Sequence, residues 1–498
     1  MKYVKRLTMK KIIINLIFIM EILVMFLSCA STTKSDKQAD PFMIKSVSNL
    51  MSKRPVDNNP LLPNFYCADP TAVVYDGRLY VIGTNDHQMY ENLKTDEDVN
   101  YGYINTLVVM STADMANWTF HGEIKVGQIA KWAGNSWAPS IVSRKEEDGL
   151  THFYLYFANG GNGIGVLTAT SPLGPWKDPV GKALISRSVK GLGKCDWLFD
   201  PGACIDDKGV GYISFGGGPG HDNCKIARLG KDMVSLDMEA GIVALPATPN
   251  HFEANELNFV NGKFILSYCS AWDVQPQAQM CYMVSETPLV ADSWVNGGAF
   301  FDNTGAYGLG GGNNHSHIEK FNGKYYMIYQ AHDLHTVFNV KGDCRNINID
   351  ELVLDEATGK IEKCRGTKKG VNQTANPKVT EKTGFETLAT GSGFKYKSDK
   401  EKITVQATTK DTIGGWTMVK QADLSSVEKI RVTAKGSGTL NVYLDTLKIS
   451  DATPLVSLKI DQKDFAEVSG KLNEYTPGLH DIYFVFSNGL ELDSWVME

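Results

Sequence analysis

Residues 200–215 read DPGACIDDKGVGYISF: a short apolar strand, a turn built on Asp-Lys-Gly, and a second strand rich in aromatic and β-branched residues. An ionisable Asp joined to a Pro stands at the entrance of this hairpin. Pro201 lacks an N–H and favours extended backbone at the residue before it, which a strand accepts only at its first residues. Alone, an Asp-Pro ahead of a strand is an ordinary turn or cap residue. Its meaning depends on whether the pattern recurs.

It recurs four more times. TAVVYDGRLYVIGT, SIVSRKEEDGLTHFYLYFANG, ELNFVNGKFILSYCS and HIEKFNGKYYMIYQAH each read as strand, Gly-containing turn and aromatic strand. With the opening hairpin, the turn glycines are Gly77, Gly149, Gly209, Gly262 and Gly323, spaced by 72, 60, 53 and 61 residues. Between them lie further strands with a shared pattern of apolar run, Ser/Thr, small loop and Trp, as in LVVMSTADMANWTFHG, IGVLTATSPLGPWKD and CYMVSETPLVADSW. Two hairpins per unit make a four-stranded sheet, so the expectation is an all-β chain with a radial, five-bladed β-propeller. Independent hairpins on a sandwich are the alternative, and they do not explain the regular spacing.

Counting back from each turn glycine aligns the units. Asp69 lies 8 residues before Gly77, Asp200 lies 9 before Gly209, Glu253 lies 9 before Gly262, and His315 lies 8 before Gly323. The second unit carries Trp137-Ala138-Pro139 there. Equivalent positions of radial blades converge near one axis, so three carboxylates, an imidazole and an aromatic are expected at one mouth. Each has a plainer reading taken singly, as a turn Asp, a solvated Glu or a packed His; their coincidence at one repeat position points to a site. Paired carboxylates on an aromatic-lined funnel suit glycoside hydrolysis, with one as base or nucleophile and one as proton donor, and a third anion can keep the donor protonated.

Composition narrows the partners. The formal charge is −6 and Lys/Arg cluster only at the extreme N-terminus, so a nucleic-acid footprint is lacking. That N-terminus, MKYVKRLTMKK followed by IIINLIFIMEILVMFLS, has the charged start and short apolar core of an export signal over residues 1–28. Leu27-Ser28-Cys29-Ala30 is similar to a bacterial lipoprotein cleavage site, which implies a lipid anchor at Cys29 and a periplasmic or outer-membrane location. Residues 29–58 read as a polar, flexible tether. Eight further cysteines sit singly within apolar strands with no CxxC pair, the pattern of buried free thiols.

The blocks NFYCADP, KWAGNSWAPSIV, YFANGGNGIGVLTATSPLGPW, CDWLFDPGACIDDKG, HFEANEL and GLGGGNNHSHIEKFNGKYY, in that order, resemble glycoside hydrolase family 43, and within it the arabinoxylan arabinofuranohydrolases. The resemblance covers residues 59–372. It implies an inverting, exo-acting enzyme, expected as a monomer, that removes arabinofuranosyl units from arabinoxylan, with β-xylosidase activity as the alternative. A non-catalytic glycan-binding lipoprotein is the alternative of another class. Carried over by motif, Asp69 matches the general base, Glu253 the general acid and Asp200 the carboxylate that raises the acid's pKa. Glu256 is a rival acid, but an offset of three along a strand puts it on the opposite face from Glu253. His315 matches a histidine that helps hold a calcium ion among waters near the axis, Arg345 an arginine facing the sugar, and Trp137 an aromatic wall. The chain departs from the family at Ser316 and Gln330, where many members carry His.

Residues 377–498 show alternating strands with Gly/Ser turns, as in VEKIRVTAK and HDIYFVFSNG, and are expected to form a β-sandwich of jelly-roll type. YTPGLHDIY and LDSW resemble the end of a family 6 carbohydrate-binding module. Trp416 would be one sugar platform; a second Trp and the C-terminal Asn of such modules are missing. Weak or absent glycan binding is expected.

Overall fold

The structure, a computed structural model, describes residues 51–498 except 94–98, 220–222, 246–247, 341, 400–401, 409–413 and 449–451. The export signal, Cys29 and most of the stretch read as a tether lie outside the described residues.

Five antiparallel sheets follow one another along the chain. The first is β1 (Ala68–Tyr75), β2 (Arg78–Thr84), β3 (Leu107–Thr112) and β4 (Trp118–Ile124). The second is β5 (Trp137–Lys145), β6 (Thr151–Ala158), β7 (Gly163–Ala169) and β8 (Ile185–Ser186), and the third β9 (Gly202–Ile205), β10 (Gly211–Phe215), β11 (Lys225–Arg228) and β12 (Ile242–Ala244). The fourth is β13 (His251–Val260), β14 (Lys263–Ser270), β15 (Met280–Ser285) and β16 (Val295–Phe301). The fifth has three strands, β17 (Ser316–Phe321), β18 (Lys324–Ala331) and β19 (Asn346–Leu352). The first strands touch in a closed cycle, β1 to β5 to β9 to β13 to β17 and back to β1, which makes them the inner strands of a five-bladed β-propeller.

The hairpin glycines do what the spacing requires. Gly77, Gly149, Gly209, Gly262 and Gly323 all have φ between 71° and 82°. In three hairpins the residue before the glycine, Asp76, Asn261 or Asn322, is also at positive φ, the turn whose twist matches paired strands. Each blade buries both faces, because an apolar cluster fills every gap between neighbours. Ile82, Val109, Leu155 and Leu167 join blades one and two, and Tyr156, Val166, Ile213 and Phe215 join two and three. Ile226, Leu257 and Leu266 join three and four, Ile265, Met280, Ile318 and Met327 join four and five, and Val81, Trp118, Ile328 and Ile349 close the ring.

Ring closure also uses the chain before β1. Leu61 N–H donates to Ile347 O (2.9 Å) and Cys67 N–H to Arg345 O (2.9 Å), so this segment lies along the three-stranded fifth blade. The last residues of the expected tether are not loose. Lys53, Asp57 and Asn58 are buried, with Lys53 Nζ on Pro60 O (2.8 Å) and Asn58 donating to Val371 O (2.5 Å). Asn59 is the anchor: its Nδ2 donates to Ile349 O (3.0 Å) and Thr367 O (2.8 Å), and its Oδ1 accepts from Ile349 N–H (2.9 Å).

The C-terminal region is one nine-stranded sheet whose two edges, Thr390–Ser392 and Phe394–Asp399, are consecutive in the chain, so the sheet nearly closes on itself. It packs on blade one: Tyr396 stacks on Phe120 at 4.2 Å, and Thr387–Leu388 pairs with the edge of β4. Trp416 is not a sugar platform. It is fully buried in an apolar cluster with Met418, Tyr443, Tyr483 and Val485, on the sheet face opposite the main core of Val442, Phe484 and Phe486. All eight described cysteines are free, and six are buried.

Asn59→Ala leaves two carbonyls and one N–H buried without partners. We expect a loss of about 2–4 kcal/mol, read as a lower thermal unfolding midpoint. An unchanged midpoint would show that this anchor does not hold the ring closed.

Candidate active site

The inner strands enter their blades through a repeated irregularity. Ala68 pairs with Thr84 and Thr71 with Ile82, so three steps along β1 match two along β2; Trp137/Ser140 in β5 and Glu253/Glu256 in β13 show the same excess. The extra residue of these bulges takes positive φ: 46° at Asp69, 40° at Ala138 and 61° at Ala254, with Asp200 at 47° ahead of β9. The three residues before a proline, Asp69, Ala138 and Asp200, are therefore not extended as Pro alone would favour. A non-glycine residue held at positive φ stores strain that the surrounding structure must maintain, and such residues concentrate at functional sites. In blade four the equivalent residue is Ala254, so the repeat count was one residue off at Glu253.

Bulged entry aims the side chains into one cavity of about 100 Å³ at the axial mouth, lined by Asp69, Asp200, Glu253, His315, Arg345 and Trp137 together with Thr84, Tyr101, Phe199 and Asn313. All six residues expected from the sequence thus meet. Trp137 forms a wall, its Nε1 donating to Tyr101 O (3.1 Å). Asp200 Oδ2 accepts from Ala254 N–H at 2.7 Å, which ties the third blade to the neighbour of Glu253. Arg345 is buried; Nη1 donates to Asp69 Oδ1 (3.0 Å), while Nε and Nη2 grip the two oxygens of Asp86 at 2.8 and 2.9 Å. His315 Nδ1 lies 3.4 Å from Asp69 Oδ1.

This arrangement splits the carboxylates. Burial by itself would push Asp69 up, but the Arg345 guanidinium and the His315 ring beside it hold its carboxyl well below the usual range. Burial raises Asp200, with the Asp69 charge adding to it and His315 opposing. Burial, Asp200 and Asp69 together push Glu253 up to about 8, against the Asn313 amide and His315, which favour its ionised form. A permanently ionised carboxylate and a carboxylic acid protonated at neutral pH, facing one small cavity, can act as a proton acceptor and a proton donor.

Glu256 is excluded for a reason the sequence did not show. Because of the bulge it lies on the same side of β13 as Glu253, not the opposite one. It is set deeper, 1% exposed, with Oε1 3.0 Å from His317 Nδ1, and it does not line the cavity. The calcium expectation is one histidine among waters: calcium prefers oxygen ligands, the Nδ1 of His315 faces Asp69, which leaves its Nε2 for such a contact, and among the described residues no group of three or more His, Cys, Asp or Glu is placed to hold an ion through side chains alone.

Asp86, Tyr101, Thr84 and Asn313 were not foreseen. Tyr101 packs its ring 5.1 Å from the Arg345 guanidinium and donates its hydroxyl to Asp343 (2.7 Å). Thr84 Oγ1 accepts from Ala138 N–H (2.8 Å), and the residue lines the cavity beside Asp69, whose ionised form it favours. Asp86 begins the short helix Asp86–Asn92 in the connection after β2, outside the repeat position that revealed the others.

A five-bladed propeller with opposed acidic groups at its axial mouth defines a class of glycoside-cleaving enzymes. The chain belongs to the glycosyl hydrolases family 43, whose family model matches residues 58–353. It is 33% identical over 494 residues to an arabinoxylan arabinofuranohydrolase of Paenibacillus polymyxa, covering 91% of this chain and 76% of that one. It is 33% identical over 517 residues to an arabinoxylan arabinofuranohydrolase of Bacillus subtilis, covering 95% and 97%. A crystal structure of a Bacillus subtilis family 43 arabinoxylan arabinofuranohydrolase in complex with cellotetraose superposes with a TM-score of 0.82 at 30% identity, over 91% of this chain and 99% of that one.

Arg345→Lys keeps the charge but loses the fork, so one ammonium cannot serve both Asp86 and Asp69. Asp69 then drifts up toward the ordinary carboxylate pKa of about 4. A base must be ionised, so the acidic limb of kcat/KM moves to higher pH. An acidic limb that stays in place would show that Arg345 does not set the state of Asp69.

Proposed function

We propose that the protein is an exo-acting, inverting α-L-arabinofuranosidase that removes side chains from arabinoxylan. The observation that carries this reading is the meeting of Asp69, Asp200 and Glu253 in one cavity with opposite pKa shifts. Asp69, ionised, draws a proton from a water that attacks the anomeric carbon. Glu253, protonated, delivers its proton to the departing glycosidic oxygen, and Asp200 keeps Glu253 protonated through its charge and proximity. The small cavity suits one terminal sugar, and the arabinoxylan-acting relatives over nearly the whole chain favour arabinofuranose as that sugar.

β-Xylosidase activity is the competing reading within the family. A glycan-binding role without catalysis is disfavoured, since binding alone needs no separation of acid and base. We read the C-terminal sheet as a packed accessory domain resembling a family 6 module, supported by the burial of Trp416 and by the contacts of Tyr396 with blade one. Export and lipid attachment at Cys29 rest on the N-terminal sequence; Cys29→Ala would release the protein from membranes into the soluble fraction.

Incubation with arabinoxylan is expected to release arabinose, with the inverted anomer appearing first by NMR. Xylose alone would support the rival. Asp69→Asn and Glu253→Gln should each lower kcat by at least about 10³-fold, while Glu256→Gln leaves measurable turnover. Wild-type rates in Asp69→Asn and Glu253→Gln would remove the mechanism.

A further inference from the structure

Gln330 is fully buried on β18, behind the cavity wall, at a position where the family resemblance leads one to expect His. Its amide has an unambiguous orientation, because one of its partners can only donate. Asp69 N–H gives its hydrogen to Gln330 Oε1 at 3.1 Å, so that atom is the oxygen, and Arg345 Nη1 reaches the same oxygen at 3.3 Å. The other end must then be the NH₂ group, and it donates to Asn313 O and to Asn313 Oδ1, both at 2.9 Å. With its Oδ1 occupied there, Asn313 has only its NH₂ left to present to the cavity that it lines together with Glu253, where it favours the ionised carboxyl. Polarity therefore runs in one direction through four groups: the backbone of Asp69, Gln330, Asn313 and Glu253.

We propose that Gln330 is a positioning residue that links the two reacting carboxyl groups, holding the Asn313 amide so that it donates to Glu253 while anchoring the backbone of Asp69. This rests on the assignment of Glu253 as the proton donor. A neutral amide suits the task, since it donates at one end and accepts at the other at every pH, whereas an imidazole in that place would change its pattern on protonation. The hydrogen bond from Asn313 favours ionised Glu253, opposing Asp200, Asp69 and burial, while His315 also favours ionisation and the Cys269 thiol lies on the strand behind. The link sets how far Glu253 is raised, and so where the enzyme stops working as pH increases.

The sign follows directly. Losing an N–H donor to a carboxylate disfavours the charged form and raises its pKa. A general acid must be protonated, so the basic limb of kcat/KM moves to higher pH. The test uses the full chain and arabinoxylan oligosaccharides, whose unactivated leaving group needs the proton, with pH profiles of wild type, Gln330→Met, Asn313→Ala, the double variant and Gln330→His. In Gln330→Met the limb should move up on the order of one pH unit, Asn313→Ala should move it by a similar amount, and the double variant should add little further. Gln330→His, with a donor and an acceptor on opposite sides of the ring, should bring the limb back toward wild type and serves if Gln330→Met fails to fold. A limb that moves in Asn313→Ala but not in Gln330→Met, a limb that moves in neither, or a Gln330→His limb displaced as far as that of Asn313→Ala, would overturn the proposal. A wild-type protein that cleaves neither arabinosides nor xylosides would instead remove the function on which it rests.

Discussion

The guanidinium of Arg345 is held by Asp86 through two parallel hydrogen bonds and has one remaining N–H edge, which it spends on Asp69. Neither ion could sit so deep alone: removing a charge from water costs several kcal/mol unless a partner and hydrogen bonds compensate. The division of labour among the other carboxyl groups follows from this contact. Asp69 stays anionic because Arg345 and His315 face it, and its charge, with that of Asp200, then penalises ionisation of Glu253. One buried arginine thus keeps Asp69 the group that accepts a proton, while burial and the neighbouring charges keep Glu253 the group that retains one.

The backbone makes that electrostatic arrangement reachable. A regular strand alternates its side chains across the sheet, and would aim residues at the two neighbouring blades rather than at the axis. The bulge at the start of β1, β5 and β13 adds one residue, increases local twist and redirects the adjoining side chain. The strain at Asp69 and Asp200 is affordable because each is pinned from both sides. Asp69 N–H bonds Gln330 while its carboxylate bonds Arg345; Asp200 accepts from Ala254 N–H through its carboxylate and from Asn255 through its carbonyl.

The blade count, the turn glycines and five of the residues brought to the mouth (Asp69, Trp137, Asp200, Glu253 and His315) were legible in the sequence because they belong to a repeat, and radial symmetry converts repeat phase into spatial proximity; Arg345 was legible only through the family resemblance. What stood outside the repeat was hidden. Asp86 sits in a connection between strands, and nothing in Thr-Asn-Asp-His tells that its carboxylate will meet an arginine 259 residues later. The bulges were invisible for another reason: pattern counting assumes a period of two, and an inserted residue at positive φ shifts that phase without a glycine to betray it. Burial of Trp416 was likewise undecidable, since an exposed platform and a core tryptophan share the same strand alternation.

Glu253 and Glu256 show how environment, not orientation, selects the proton donor. Both lie on one side of β13, and burial raises the pKa of both. Glu256 meets the His317 ring at 3.0 Å, and although burial opposes it, that carboxylate together with Glu319 pushes His317 up to about 10, so the imidazolium stays charged and neutralises Glu256. Among the described residues Glu253 forms no ion pair; Asp200 and Asp69 raise it further, and the neutral Asn313 amide and His315 offset them only in part. A carboxyl group whose surroundings supply negative charge and hydrogen bonds, but no ion pair, retains its proton near neutrality and can release it only when a departing oxygen develops the charge to take it. Depth along a single strand, a matter of three residues, is therefore enough to separate a structural ion pair from a general acid.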